Sequence, residues 1–249
     1  MPTPFTHLEA AGRLLNDPEI PPMLRDALRA EASAFLLGNI AADARTGAGM
    51  KREDTHFYNY DTDITEHPWR VMVNRNPSLL TPHSPAQRVF AAGYVAHLTM
   101  DETWSLEMLG PHFARSEWGP RQLKFLMLHA ILIYMDERDE RKLGGWEYPT
   151  LAAAQPDAWL PFMSDDVLRD WRDFIAAQLA PGGSSQTLAV FGARIDKTPA
   201  ELRAVLDSPE RMQADLWDHI PQATLAAVEA DMYAHARAEM QTYWAESGG

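Results

Sequence analysis

One stretch constrains this chain more than any other: a long segment bracketed by Ser84-Pro85 and Gly110-Pro111. A serine before proline supplies an N-cap and a first-turn residue whose missing N–H has no partner to lose. Gly-Pro is a strong stop. Between them lies AQRVFAAGYVAHLTMDETWSLEML, so the signals predict one helix over residues 85–109. Most of the stability of such a helix comes from packing against neighbours, and the rest of the chain offers helices for that role.

Thr6 followed by Glu9 matches a capping box and predicts a helix over 6–16, with Leu8, Ala11 and Leu15 on one face and His7 beside it. Pro21-Pro22 opens a second helical pattern that runs on to Arg45, with Gly38 near its end, where another backbone can pack closely. Residues 122–138 carry a strongly apolar face and end in DERDERK, which reads as a solvated terminus. Residues 164–179, 198–206 and 223–244 read as amphipathic helices, and APGGSSQ (180–186) as a turn. Residues 46–84 show no sustained period and are rich in Thr, Asp, Asn, His and Pro. They read as a long ordered loop with one short helix near 69–73, and loops of that length inside compact domains are often functional. Strand signals are weak throughout. With 46% hydrophobic residues, eight Trp and nine Phe, the expectation is an all-α bundle, one domain over residues 1–249.

The cysteine count is zero, which excludes disulfides and any thiolate metal site. A metal here must be held by His, carboxylate, carbonyl or water, a donor set that suits zinc or another divalent ion. The first twenty residues lack both a basic leader and an unbroken apolar run, and the apolar run 125–135 is about half of what spans a bilayer. The expected compartment is the cytoplasm, with no transmembrane segment. A net charge of −13, from 35 acidic against 22 basic residues, repels a long phosphate backbone, so long nucleic acid is not an expected partner.

His97 and Asp101 stand four apart in the clearest helix, about 40° from each other around its axis. Two side chains so placed can reach one ion at about 2 Å each. On spacing alone the pair reads first as an ordinary His–Asp contact. His56 in the loop, Asp43 at a helix end and His7 beside an N-cap are each unspecific when taken singly.

Their order is more specific. The set PFTHL, FLLGNIAADAR, THFY and GYVAHLTMD resembles the zinc-dependent phospholipase C family, whose all-helical fold is shared with P1-type nucleases. The resemblance covers roughly residues 1–105 and leaves 106–249 without a matching motif. It implies His7, Asp43, His56, His97 and Asp101 as metal ligands, with a general-base role for Asp43. It further implies one divalent ion or two, zinc first, and hydrolysis of a phosphoester by metal-activated water. The family's further histidine beyond its Asp has no counterpart in ETWSLEML, where Glu102 or Glu107 offers the nearest substitute. The later His-x-x-x-Glu pair is also missing, since Ile133 stands four residues after His129, which reads as a core histidine.

The expected substrate is a small phosphoester or a phospholipid-like molecule, and no basic amphipathic segment points to a membrane surface. Two alternatives remain open at this level. One is a non-catalytic protein of the same fold with a structural ion, the other a metal-free interaction module. Asp231, His235 and Glu239 form one more possible ligand stripe on the last helix.

Overall fold

The computed structural model describes residues 2–248, is 69% helical and has no strand among the described residues. In chain order the helices are α1 (Pro4–Leu14), α2 (Pro22–Ala30), α3 (Ala32–Gly38), α4 (Arg45–Ala48), α5 (Pro68–Arg75), α6 (Pro85–Thr103) and α7 (Arg121–Glu140). They continue as α8 (Glu147–Ala152), α9 (Asp165–Leu179), α10 (Thr187–Arg194), α11 (Pro199–Leu206), α12 (Pro209–Met212) and α13 (Gln222–Glu246). The all-α expectation holds.

The bracketed segment is the axle of the fold. Every residue of α6 from Val89 to Thr103 is buried, and the helix packs between α3 and α13. A helix apolar on all sides belongs in the interior. Ser84 caps it as expected, its hydroxyl accepting from the Gln87 amide at 3.1 Å. Two glycines set its closest contact. A Cβ on Gly93 would lie 2.6 Å from the Phe35 carbonyl oxygen, and one on Gly38 would lie 2.1 Å from that of Phe90. The backbones of α3 and α6 therefore touch, at a distance that no side chain allows.

Several boundaries differ from the sequence reading. Gly110-Pro111 does not stop the chain, which continues over Trp104–Ala114 as a wider π-helix with Pro111 inside it. In that geometry the Arg115 amide donates to the Gly110 carbonyl five residues back, and the wider turn accommodates the proline ring. The helical pattern from Pro22 breaks at Glu31, where φ −115° and ψ 37° divide α2 from α3. The change of axis lets Leu24 and Leu28 reach the core from one direction and Phe35, Leu36 and Leu37 from another. The loop 46–84 holds α4, α5 and two short 3-10 turns, Arg52–Asp54 and Pro77–Leu80. Short α8, α10 and α12 had no signal strong enough to place them.

The first helix is capped from a distance. It starts at Pro4, and Thr6 makes no capping box; its hydroxyl donates to Asp139 at 3.0 Å. Asp136 of α7 instead accepts from the Phe5 amide at 3.2 Å and from the hydroxyls of Thr3 and Thr187. Asp136 and Asp139 are buried, so the first part of DERDERK is a structural latch and not a solvated tail. Acceptor oxygens placed at a helix N-terminus satisfy its orphan amides.

Candidate metal centre

Four segments deliver the five sequence-identified residues to one place. The first turns of α1 bring His7, and the 3-10 turn Ala41–Ala44 after α3 brings Asp43. His56 follows the turn Arg52–Asp54, held there by its amide donating to the Arg52 carbonyl at 2.7 Å. His97 and Asp101 lie one turn apart on α6, in the stretch where α3 and α6 touch.

The geometry is compact. Asp101 Oδ1 lies 3.5 Å from His7 Nε2, while its Oδ2 lies 3.2 Å from His56 Nε2 and 3.4 Å from His97 Nε2. Asp43 Oδ1 is 3.5 Å from His56 Nε2. The rings of His7 and His97 stack with centroids 4.0 Å apart. Two overlapping sets, His7–His97–Asp101 and Asp43–His56–His97, each bring three donor atoms within 4.8 Å of one another. All five side chains are fully buried except Asp43, which is 19% exposed.

The outer partners fix which nitrogen faces inward. His97 Nδ1 lies 2.8 Å from the Asn39 carbonyl, which can only accept, so Nδ1 carries a proton and Nε2 is the nitrogen turned to the cluster beside Asp101. The close crossing at Gly38 and Gly93 carries the Asn39 carbonyl to this position. His56 Nδ1 is 2.9 Å from the Thr55 hydroxyl, and the Tyr94 hydroxyl secures that loop by donating to the Thr55 carbonyl at 2.8 Å.

Electrostatics prepare the same donors. Burial drives the His7 pKa down to about 4, with the neighbouring His97 adding to the shift, so His7 is neutral at pH 7. Burial and then the Arg52 charge likewise hold His56 below its ordinary value. Burial opposes ionisation of Asp43 and Asp101, yet both are held below the usual carboxylate range by the histidines around them. For His97 burial is outweighed by Asp101, which raises it. The carboxylate here draws a positive charge to itself, from a proton or from an ion.

The residues fit a metal. Nε2 of His7, His56 and His97 and Oδ1 of Asp101 are buried without any hydrogen-bond partner. Four orphaned donor atoms gathered around one buried carboxylate are costly unless a cation satisfies them. Nitrogen and carboxylate oxygen without sulfur is the donor set of zinc and similar divalent ions.

Sequence reasoning missed Arg52 and Tyr58. The Arg52 guanidinium lies 3.4 Å from Asp101 Oδ2, its side chain only 9% exposed, and it faces the rings of Tyr58 and Tyr60. The Tyr58 hydroxyl donates to the Asp101 carbonyl at 3.1 Å. In KREDTH the arginine reads as one charge of a mixed surface run, and only the turn at 52–54 aims it inward.

The substitutes named for the missing family ligands point elsewhere. Glu102 pairs with His67 Nδ1 at 2.9 Å, and Glu107 lies beside Asp231. The last-helix stripe is likewise engaged outside the cluster: His235 meets Thr103 at 3.2 Å, and Glu239 accepts from the Trp69 indole at 2.9 Å. His129 bonds the Phe125 carbonyl at 2.7 Å, which is the core role expected for it.

From the cluster opens a groove of about 1370 Å³, with Asp43, Arg52 and Tyr58 in its wall. The sequence profile of a family described as zinc dependent phospholipase C matches residues 6–135, just over half of the 249-residue chain. No curated protein and no solved structure matches it.

Proposed function

This chain belongs to the zinc-dependent phospholipase C family, and from that premise we propose that it hydrolyses a phosphoester at the buried cluster with the help of a divalent metal, zinc first. The family and the cluster support a metal-dependent hydrolase. His7, His56, His97 and Asp101 would hold the metal, with Asp43 at its open side. A divalent ion there polarises a phosphoryl oxygen and lowers the pKa of water toward neutrality.

The protein's own groups cover the remaining tasks. Asp43, ionised and the one partly exposed member of the cluster, faces the groove and can take a proton from the attacking water. Arg52 stays charged and presents its guanidinium at the groove wall beside Asp101, where it can bind a phosphoryl oxygen. Tyr58 fixes that guanidinium by a 2.8 Å hydrogen bond.

The observation that carries the proposal is the gathering of four orphaned donor atoms around one buried carboxylate, with Asp43 of the same cluster in the wall of an open groove. A structural ion would be enclosed on all sides, whereas Asp43 leaves this cluster an opening. The test is metal analysis of untagged protein, joined to turnover of a generic aryl phosphodiester and monoester. Stoichiometric divalent metal is expected, with hydrolysis that is abolished by chelation and restored by zinc. Metal-replete protein that hydrolyses neither ester refutes the catalytic reading. Bound metal whose removal melts the chain, without turnover at any stage, assigns the ion a structural role.

A further inference from the structure

Seven large apolar side chains are exposed among the described residues, and five of them, Tyr60, Leu106, Phe125, Phe174 and Val190, line the groove. They come from four separate parts of the chain: the loop after Arg52, the π-helix, α7, and the α9–α10 pair. Clustered exposed apolar surface marks a binding site where scattered residues would not. The volume exceeds that of ordinary small-molecule pockets, about 300–1,000 Å³, and leaves room for a hydrocarbon chain beyond the cluster.

The charged lining is the reverse of the chain's own charge. Arg45, Arg52, Arg115, Arg121, Lys124 and Arg194 face the groove, against only Asp43, Asp63 and Asp170, in a protein of net charge −13. Among the described residues twelve of the 22 basic side chains form ion pairs, but of these six only Arg52 does so. Lys124 rests on the Ser116 carbonyl, and Arg194 lies 4.9 Å over the Phe191 ring. Despite an excess of carboxylates elsewhere, none among the described residues forms an ion pair with these five cations.

We propose that the groove binds an anionic amphiphile, a hydrocarbon chain carrying an acidic head, and that it selects against the zwitterionic counterpart. The exposed side chains cover the hydrocarbon, and the unpaired cations attract the acidic head and repel a quaternary ammonium. Burying methylene groups supplies affinity, while the cations supply the choice between heads. The identification of the scissile group rests on the hydrolase reading, but the binding preference does not.

The matched probes are dodecyl phosphate and dodecylphosphocholine, identical in chain and different only in the choline cap. Each is titrated calorimetrically below its micellar concentration, into full-length protein with metal and after chelation. The expected result is at least about tenfold tighter binding of dodecyl phosphate in both forms of the protein. Replacing two of these cations, Arg121→Gln with Lys124→Gln, weakens dodecyl phosphate and shrinks that ratio about threefold or more. Phe125→Asn with Val190→Asn weakens both probes while helical circular dichroism is preserved. Affinities equal within about twofold, no binding of either probe, or a ratio indifferent to the two cations would overturn the proposal. A preference that persists without any phosphoester turnover leaves the groove standing and removes the hydrolase; turnover without a preference does the opposite.

Discussion

At the cluster, histidine nitrogens and a carboxylate oxygen meet in full burial without hydrogen-bond partners. Along the groove, guanidinium and ammonium groups stand in partial exposure with no carboxylate against them. The two regions are adjacent, since Asp43, Arg52 and Tyr58 belong to the wall they share. They are incomplete in opposite senses, one toward a metal and the other toward an anion. The energetic weights differ as well. A buried unpaired polar group costs several kcal/mol, whereas an exposed cation loses little by remaining in water. The cluster is therefore a demand built into folding, and the groove a preference expressed on binding.

The largest test of this contrast is Asp101→Asn. One neutral oxygen in place of a carboxylate shared by three histidines lowers metal affinity by about 10³-fold, on the order of 4 kcal/mol. Competition against a chelating dye measures it. An unchanged affinity would mean that the orphaned atoms do not mark the ion's place.

Asp136, where α7 packs on α1, supplies a control outside the cluster. Burial pushes its pKa up from 3.8 to about 7, against the Thr187 and Thr3 hydroxyls and the Phe5 amide, which lower it. The fold favours the neutral carboxyl, so its contribution is complete below pH 3.8 and is lost as pH rises through about 7. The total is roughly 4 kcal/mol. Denaturant unfolding of Asp136→Asn in metal-free protein should show this loss removed between pH 4 and 7. A pH dependence identical to that of the parent would mean that Asp136 is ionised in the fold.

Gly93→Ala acts on the frame beneath the cluster. Its Cβ would meet the Phe35 carbonyl at 2.6 Å, which forces α3 and α6 apart and costs about 3 kcal/mol. For a chain of this size that is a drop in Tm of about 6–12 °C. Metal affinity should fall with it, because the Asn39 carbonyl moves away from His97. A lowered Tm with intact affinity would separate the frame from the site.

Thr55→Val is the mildest change. It removes the hydroxyl beside His56 Nδ1 and keeps the volume, so metal affinity falls about 10–100-fold with the helical spectrum unchanged. The binding preference along the groove should not respond. A change there would couple the two regions more closely than their walls suggest.

Much of the cluster was legible because its candidate ligands follow local rules. The His97–Asp101 pair is a helical spacing, and the Ser84-Pro85 signal places that helix correctly. His7, Asp43 and His56 were legible only as an ordered set, since each taken singly looks like ordinary polar surface. Arg52 was not legible, because its inward direction depends on one 3-10 turn and on the Tyr58 and Tyr60 rings. The stop assigned to Gly110-Pro111 failed because a π-helix accommodates what an α-helix rejects. The DERDERK terminus was misread because periodicity does not show that a distant helix N-terminus, at Phe5, needs an acceptor.

By itself the sequence determined the helical class, the absence of sulfur ligands and the order of five candidate ligands along the chain. These follow from short-range periodicity, capping and residue chemistry, which act within a few turns. Tertiary structure alone decided that the five side chains share one buried point, and that Arg52 stands beside it. It also decided that apolar and basic residues from distant segments line one groove. A charge of −13 hides that basic lining, because composition sums over the whole surface while a ligand meets only the part that folding gathers around it.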